Sequence, residues 1–221
     1  MLGQHGRGLT KALFTTPALA MAKIGITPNM LTVTGTIASV AVAVATLPQG
    51  HFILGPVLAA LVLVADSFDG ILARATGGSS EFGAFLDSTM DRLADGAVFA
   101  SLAAWAGLHL PEGTQRTLTL GAALACVVLA AAVPYARARA ESVGATASIG
   151  IAERTDRLVV ALLATFVVGL GAPTWVLTAA LVLVAQAMSV AVQGRRRELA
   201  LLRLAGASPA RVRVMVAREA L

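Results

Sequence analysis

Six apolar runs punctuate the chain, at residues 31–47, 53–65, 97–110, 118–134, 158–170 and 175–192. Runs of this kind that approach ~20 residues predict helices that cross a bilayer. The second, third and fifth are short and reach spanning length only if helix continues into their polar flanks. For the second and third, that continuation carries the polar stretch between them to the membrane boundary. The expected fold is all-α and integral to a membrane, with six transmembrane helices. Ahead of them, residues 9–24 mix Lys11 and Lys23 with Leu13, Phe14, Leu19 and Met21. That segment is too polar to span and predicts an amphipathic juxtamembrane helix, broken by Thr27-Pro28-Asn29 before the first span. Asn29, the chain's single asparagine, suits either a helix cap or a ligand contact. No compact apolar run ending in a small-residue cleavage site occupies the first 25 residues, so a cleaved signal peptide is not expected.

Composition agrees with the pattern. The chain is 57% hydrophobic and 13% charged, and its mean hydropathy of +0.80 lies outside the range of soluble domains. Cys126 stands alone in an apolar run, reads as a small core residue and can form no internal disulfide. His5, His51 and His109 are scattered without ligand spacing.

The basic residues orient the chain. Arg7, Lys11 and Lys23 precede the first run, Arg74 and Arg92 lie between or near the second and third, and Arg137, Arg139, Arg154 and Arg157 flank the connection from fourth to fifth. Seven more arginines follow the sixth. The opposite-side connections hold only Arg116. By the positive-inside rule both termini and the polar stretch are cytoplasmic. The pI of about 10.6 is then a signature of topology. No interleaving of aromatic and basic residues points to nucleic acid, and no nucleic-acid partner is expected.

The polar stretch is the chemical centre. Residues 65–96 read ADSFDGILARATGGSSEFGAFLDSTMDRLADG and hold Asp66, Asp69, Glu81, Asp87, Asp91 and Asp95, half of the chain's twelve acids. Asp66 and Asp69 are spaced i, i+3, and Asp87 and Asp91 i, i+4, so each pair shares a helix face. A short loop at 75–82 makes the two helices antiparallel neighbours whose acid faces can converge. Four such carboxylates repel, and ionised acids near hydrocarbon are costly, so they hold protons or cations. Mg²⁺ and Mn²⁺ take oxygen ligands and commonly share carboxylates with substrate phosphates. Gly70, Ala73 and Gly83 leave room for a bulky ligand near the backbone. The plain alternative is a set of solvated acids at a helix boundary, which two facing pairs with interleaved glycines disfavour. Asp95 continues the stripe one turn deeper, as a supporting residue or an arginine partner. Glu81 reads as a solvated loop acid.

The order Asp66-x2-Asp69-Gly70-x2-Ala73-Arg74-x8-Gly83-x3-Asp87-x3-Asp91 resembles, at every position, the signature of the CDP-alcohol phosphotransferase family. The resemblance runs from about residue 27 through the sixth span. The pieces TPNMLT, FGAFLDSTMDRLADGAVF, YARARAE and ERTDRL are most similar to its actinobacterial branch, in which inositol 1-phosphate is the acceptor. The resemblance implies transfer of a phosphatidyl group from CDP-diacylglycerol to an alcohol, with release of CMP. It implies two divalent ions, Mg²⁺ or Mn²⁺, on Asp66, Asp69, Asp87 and Asp91, with Asp91 as general base. Asn29, Met30, Leu31, Thr32, Gly70, Ala73, Arg74, Ser80 and Gly83 would line the CDP-diacylglycerol site. Members often carry Thr for Ser80 and Asp for Asn29, exchanges that keep a hydrogen-bonding group. Arg137, Arg154, Arg157 and Arg195 would hold the acceptor phosphate, although positive-inside orientation and lipid contact also explain basic residues there. Arg137 and Arg139 cannot share a helix face whereas Arg154 and Arg157 can, so one set points inward while the other meets lipid. Membrane lipids, a homodimeric partner and a multi-pass place in the cell (plasma) membrane, with the site facing the cytoplasm, complete what is implied.

The C-terminal part departs from that family. Where members carry a Gln-Arg pair, Gln193 is followed by Gly194 and then Arg195-Arg196-Arg197, and the stretch RRRELALLRLAGASPARVRVMVAREAL is similar to a cytoplasmic segment of FtsX-like permeases. The expected division is 1–26 (juxtamembrane helix), 27–193 (six-helix catalytic domain) and 194–221 (basic cytoplasmic tail). The competing readings are the same chemistry on glycerol 3-phosphate or free inositol, a cation or proton transporter, and a non-catalytic scaffold. A transporter spreads its acids across the bilayer depth. Here they cluster at one end of two helices.

Overall fold

The computed structural model describes residues 25–76, 80–142 and 154–204, leaving out the side chains of residues 66–71, 73–76, 140, 154 and 193–204. Among the described residues all regular structure is helical: α1 (Pro28–Thr46), α2 (Leu54–Thr76), α3 (Glu81–His109), α4 (Thr114–Ser142), α5 (Arg154–Gly169) and α6 (Trp175–Leu204). Each apolar run falls on one helix, within a residue at its ends. The expected juxtamembrane helix at 1–26 lies almost wholly outside the described residues.

The helices outgrow their apolar runs on the polar side. α2 continues to Thr76 and α3 opens at Glu81, so the loop expected over 75–82 loses Ala75, Thr76, Glu81 and Phe82 to helix. The reason at the α3 end is a cap. Ser80 Oγ accepts the Gly83 N–H at 2.9 Å, satisfying one of the orphan donors of the first turn. Glu81, expected as a loop acid, is instead the first residue of α3, where the helix N-terminus favours negative charge. Similarly, Thr27-Pro28-Asn29 opens α1, directly after the non-helical Gly25 and Ile26. Thr27 is the cap, its hydroxyl oxygen accepting from Met30 N–H at 3.3 Å, and Pro28 follows where no backbone donor is needed. Asn29 therefore does not cap the helix.

The chain divides at Val98/Phe99, within α3, into two compact units. In the first, α1 and α2 pack as a hairpin. A turn over 47–53 joins them, with Gly50 at φ +78°, a conformation open to glycine. The helices approach closely at Gly55, where a Cβ would come within 2.6 Å of Thr46 Oγ1 and 2.8 Å of Leu47 Cδ2. Threonine hydroxyls on α1 donate back into the helix, Thr32 to Pro28 O at 3.2 Å and Thr36 to Thr32 O at 2.9 Å.

In the second unit α6 packs against both α4 and α5. Small residues on α4, Ala122, Ala123, Cys126 and Ala130, are buried, as are Leu177, Leu181, Val184 and Met188 of α6. Two polar bridges fix the α4–α6 register. Gln115 Nε2 donates to Thr174 Oγ1 at 2.7 Å, and one turn along, the buried Thr119 and Thr178 hydroxyls meet at 2.7 Å. Small residues with interhelical hydrogen bonds are how helices associate where lipid removes the hydrophobic drive between them.

Among the described residues, three helices are long and apolar enough to cross a membrane: α1, Thr114–Arg139 of α4 and Trp175–Val192 of α6, with Leu54–Ala65 of α2 a shorter apolar segment. Ile37, Val44, Leu61, Leu124, Val128, Leu183 and Val190 are exposed on these helices. So much outward apolar surface matches lipid rather than water.

Candidate active site

α3 carries three carboxylates on one face, four residues apart. Asp87 is exposed, Asp91 half-buried and Asp95 2% exposed. Each step along this stripe is about 6 Å of helix rise, so the acids run from the open helix start into packed protein. Asp87 and Asp91 can be reached by a ligand, whereas Asp95 offers almost no surface to one. Asp66 and Asp69 lie on α2 at i, i+3, as do Gly70, Ala73 and Arg74 further along it. Their side chains are outside the described residues, and so is the expected convergence of the two acid faces.

The starts of α1 and α3 meet. A Cβ on Gly83 would lie 3.2 Å from Asn29 Oδ1 and 3.2 Å from Ser80 Oγ. Only a residue without a side chain lets the Asn29 amide sit there without displacement. This brings Asn29, Ser80 and Gly83 together at the site's rim, one turn from Asp87. Two helix N-termini lie side by side, each with first-turn N–H groups, an arrangement suited to negative charge. Of the neighbouring candidates, Met30 is exposed, Leu31 half-buried, and Thr32 buried with its hydroxyl donated to Pro28 O. The cap role of Ser80 was not read from the sequence, although a serine just ahead of a helix is the signal that could have found it. The contact between Asn29 and Gly83, 54 positions apart, leaves no local signal.

The four arginines differ in setting. Arg137 is exposed and its Nε donates to Glu141 Oε1 at 2.8 Å, an i, i+4 pair on α4; Arg139 is exposed too. Arg157, one turn into α5, is 5% exposed, and its Nη1 donates to Met188 Sδ of α6 at 3.3 Å. Arg154 opens α5 and Arg195 lies on α6, with both side chains outside the described residues. A buried guanidinium keeps its charge and demands acceptors, which makes Arg157 the member most demanding of explanation.

The donor set fits a hard cation. Asp66, Asp69, Asp87 and Asp91 offer only carboxylate oxygens, the ligand type of Mg²⁺ and Mn²⁺. Among the described residues no group of three or more His, Cys, Asp or Glu is assembled, since half of this set lies on α2 outside them.

The signature on α2 and α3 and the meeting of Asn29 with Gly83 define a class. The family profile for CDP-alcohol phosphatidyltransferases matches residues 25–191, and the chain belongs to that family of enzymes. Among its relatives, the phosphatidylinositol phosphate synthase of Mycobacteroides abscessus is 42% identical over 188 residues, covering 81% of this chain and 84% of that one. The crystal structure of Mycobacterium tuberculosis phosphatidylinositol phosphate synthase with CDP-DAG bound matches with a TM-score of 0.78 and 34% identity, over 84% of this chain and 92% of that one. The structure of the same enzyme with manganese and citrate matches at 0.77 and 34%, over 83% and 87%. A second profile, the FtsX-like permease C-terminal region, matches residues 170–221. It overlaps α6 and includes none of the aspartates.

Proposed function

We propose that the chain transfers the phosphatidyl group of CDP-diacylglycerol to inositol 1-phosphate, giving phosphatidylinositol phosphate and CMP. The observation that carries this is the graded acid face of α3, Asp87 exposed and Asp91 half-buried, beside the Asn29–Ser80–Gly83 contact. The synthases among its relatives support the acceptor.

Asp66, Asp69, Asp87 and Asp91 would hold two divalent ions, Mg²⁺ or Mn²⁺, which when bound neutralise a pyrophosphate and stabilise the departing phosphate. Asp91 takes the proton of the acceptor hydroxyl on its carboxylate. The hydroxyl oxygen bonds to the phosphorus that bears diacylglycerol, the bond from that phosphorus to the CMP oxygen breaks, and CMP leaves with the electron pair. Asn29, Met30, Leu31, Thr32, Gly70, Ala73, Arg74, Ser80 and Gly83 line the nucleotide and hold it in place for that step. Arg137, Arg154, Arg157 and Arg195 take the acceptor phosphate, with Arg157 already fixed by burial. Such a group discriminates against free inositol, which leaves the guanidinium without its partner.

The same reading has all six helices crossing the cell membrane behind an amphipathic juxtamembrane helix, both termini and the acids cytoplasmic, and the chain in homodimers. Its domains are 1–26, 27–193 and 194–221. Purified protein supplied with CDP-diacylglycerol, Mg²⁺ or Mn²⁺ and inositol 1-phosphate should yield a phosphorylated inositol lipid, identified by mass spectrometry, in step with CMP. CMP release with no such lipid overturns the acceptor.

A further inference from the structure

The seam between α5 and α6 is apolar but for one residue. On α6, Leu181, Val184 and Met188 are buried and follow the i, i+3, i+7 spacing of a single helix face. On α5, Arg157, Ala161 and Ala164 are buried and follow i, i+4, i+7. The two helices pack together. An arginine therefore occupies a core-facing position, and its Nη1 donates to Met188 Sδ at 3.3 Å. Met188 lies one helical turn before Val192, where the apolar window of α6 ends.

The chemistry of the acceptor matters. A guanidinium keeps its charge in such a seam, and burial obliges it to find acceptors. Leucine at 188 would pack as well but accept nothing. A carboxylate would accept, but with a full negative charge that opposes an incoming phosphate. A thioether is a weak, uncharged acceptor on a flexible and polarisable chain. It fixes Nη1 without adding an anion beside it. Met188 is itself 1% exposed and offers no surface to a substrate, so whatever it contributes passes through Arg157.

We propose that Met188 is a positioning residue for the acceptor phosphate. Its sulfur holds the Arg157 guanidinium in the pose that meets the phosphate, and does so without competing for the charge. An arginine held beforehand has less rotamer freedom to lose when the anion arrives. The inference rests on the reading of Arg157 as part of the acceptor set and adds the residue that sets its pose.

The test is kinetic, on the full chain in detergent. CMP release is followed as inositol 1-phosphate is varied, at saturating CDP-diacylglycerol and divalent ion. Met188→Leu conserves volume and removes the acceptor. It should raise the KM for inositol 1-phosphate about three- to tenfold, the share of an ordinary hydrogen bond, with kcat and the CDP-diacylglycerol KM little changed. Met188→Gln, whose amide oxygen accepts at a similar reach, should recover most of that loss, which a mere filler of space would not do. In an Arg157→Ala background Met188→Leu should add nothing, because the sulfur acts through the guanidinium. Arg157→Ala with an unaltered acceptor KM overturns the acceptor reading and this inference with it. A raised KM in Arg157→Ala but an unaltered one in Met188→Leu overturns this inference alone and leaves Met188 a packing residue. A Met188→Leu loss spread over kcat and both KM values overturns it too, as general disruption. If Met188→Gln fails to fold, the leucine variant decides on its acceptor KM.

Discussion

Arg157 concentrates two demands in one side chain. It is packed against Met188 in the second unit, and the proposed chemistry also asks it to meet a phosphate. Arg157→Ala should raise the KM for inositol 1-phosphate roughly ten- to hundredfold, the loss expected for one charge-assisted hydrogen bond, while the CDP-diacylglycerol KM moves little. Truncation also opens a hole beside Met188, so thermal unfolding should fall in the same variant. An unaltered acceptor KM in a destabilised protein would leave Arg157 with a packing role alone. Asp91→Asn should lower turnover by ~10²–10⁴ with CDP-diacylglycerol binding retained, as loss of a general base does. Near-normal CMP release would remove that role. At this scale the sequence was informative about identity and poor about setting. Spacing put Asp87, Asp91 and Asp95 on one face, but which is exposed and which is buried depends on neighbours far along the chain. Arg137 and Arg157 are both basic residues at helix ends, yet one pairs with Glu141 in solvent and the other is enclosed.

Among elements, α3 opens on the cap supplied by Ser80. Ser80→Ala removes its cap and should cost about 1 kcal/mol, whereas Ser80→Thr, which keeps the oxygen, should cost little. Thermal unfolding in detergent reads both, and equal stabilities for the alanine and threonine variants would contradict the cap. In the α1–α2 hairpin, Gly55→Ala places a methyl against Thr46 and Leu47 and should cost ~1–3 kcal/mol, an overpacking penalty that a looser interface would not show. The six helices were legible because apolar runs of near-spanning length have few other solutions. Their ends were not. Ala75, Thr76, Glu81 and Phe82 flank the loop-like sequence Gly77-Gly78-Ser79-Ser80, yet a serine cap and the continuation of α2 draw them into helix. Thr27 likewise displaced the more conspicuous Asn29 as the cap of α1, because Pro28 at the first helical position fixes where the helix starts.

For the whole molecule, the family was legible because its signature is chemical and local in sequence, eight fixed positions on two successive helices. The polar bridges of the second unit were not, since Gln115 and Thr174 lie just outside their apolar runs and Thr119 and Thr178 resemble any other threonines within one. The central claim is that the α2–α3 acids transfer a phosphatidyl group to a phosphorylated inositol. The most direct measurement is kcat/KM for CMP release from CDP-diacylglycerol by the purified chain, with inositol 1-phosphate, free inositol and glycerol 3-phosphate compared at a saturating divalent ion. A preference for inositol 1-phosphate over free inositol of at least tenfold is expected, lost in all cases when the ion is chelated. Equal or better use of free inositol or glycerol 3-phosphate, or release of CMP that persists under chelation, would contradict the account.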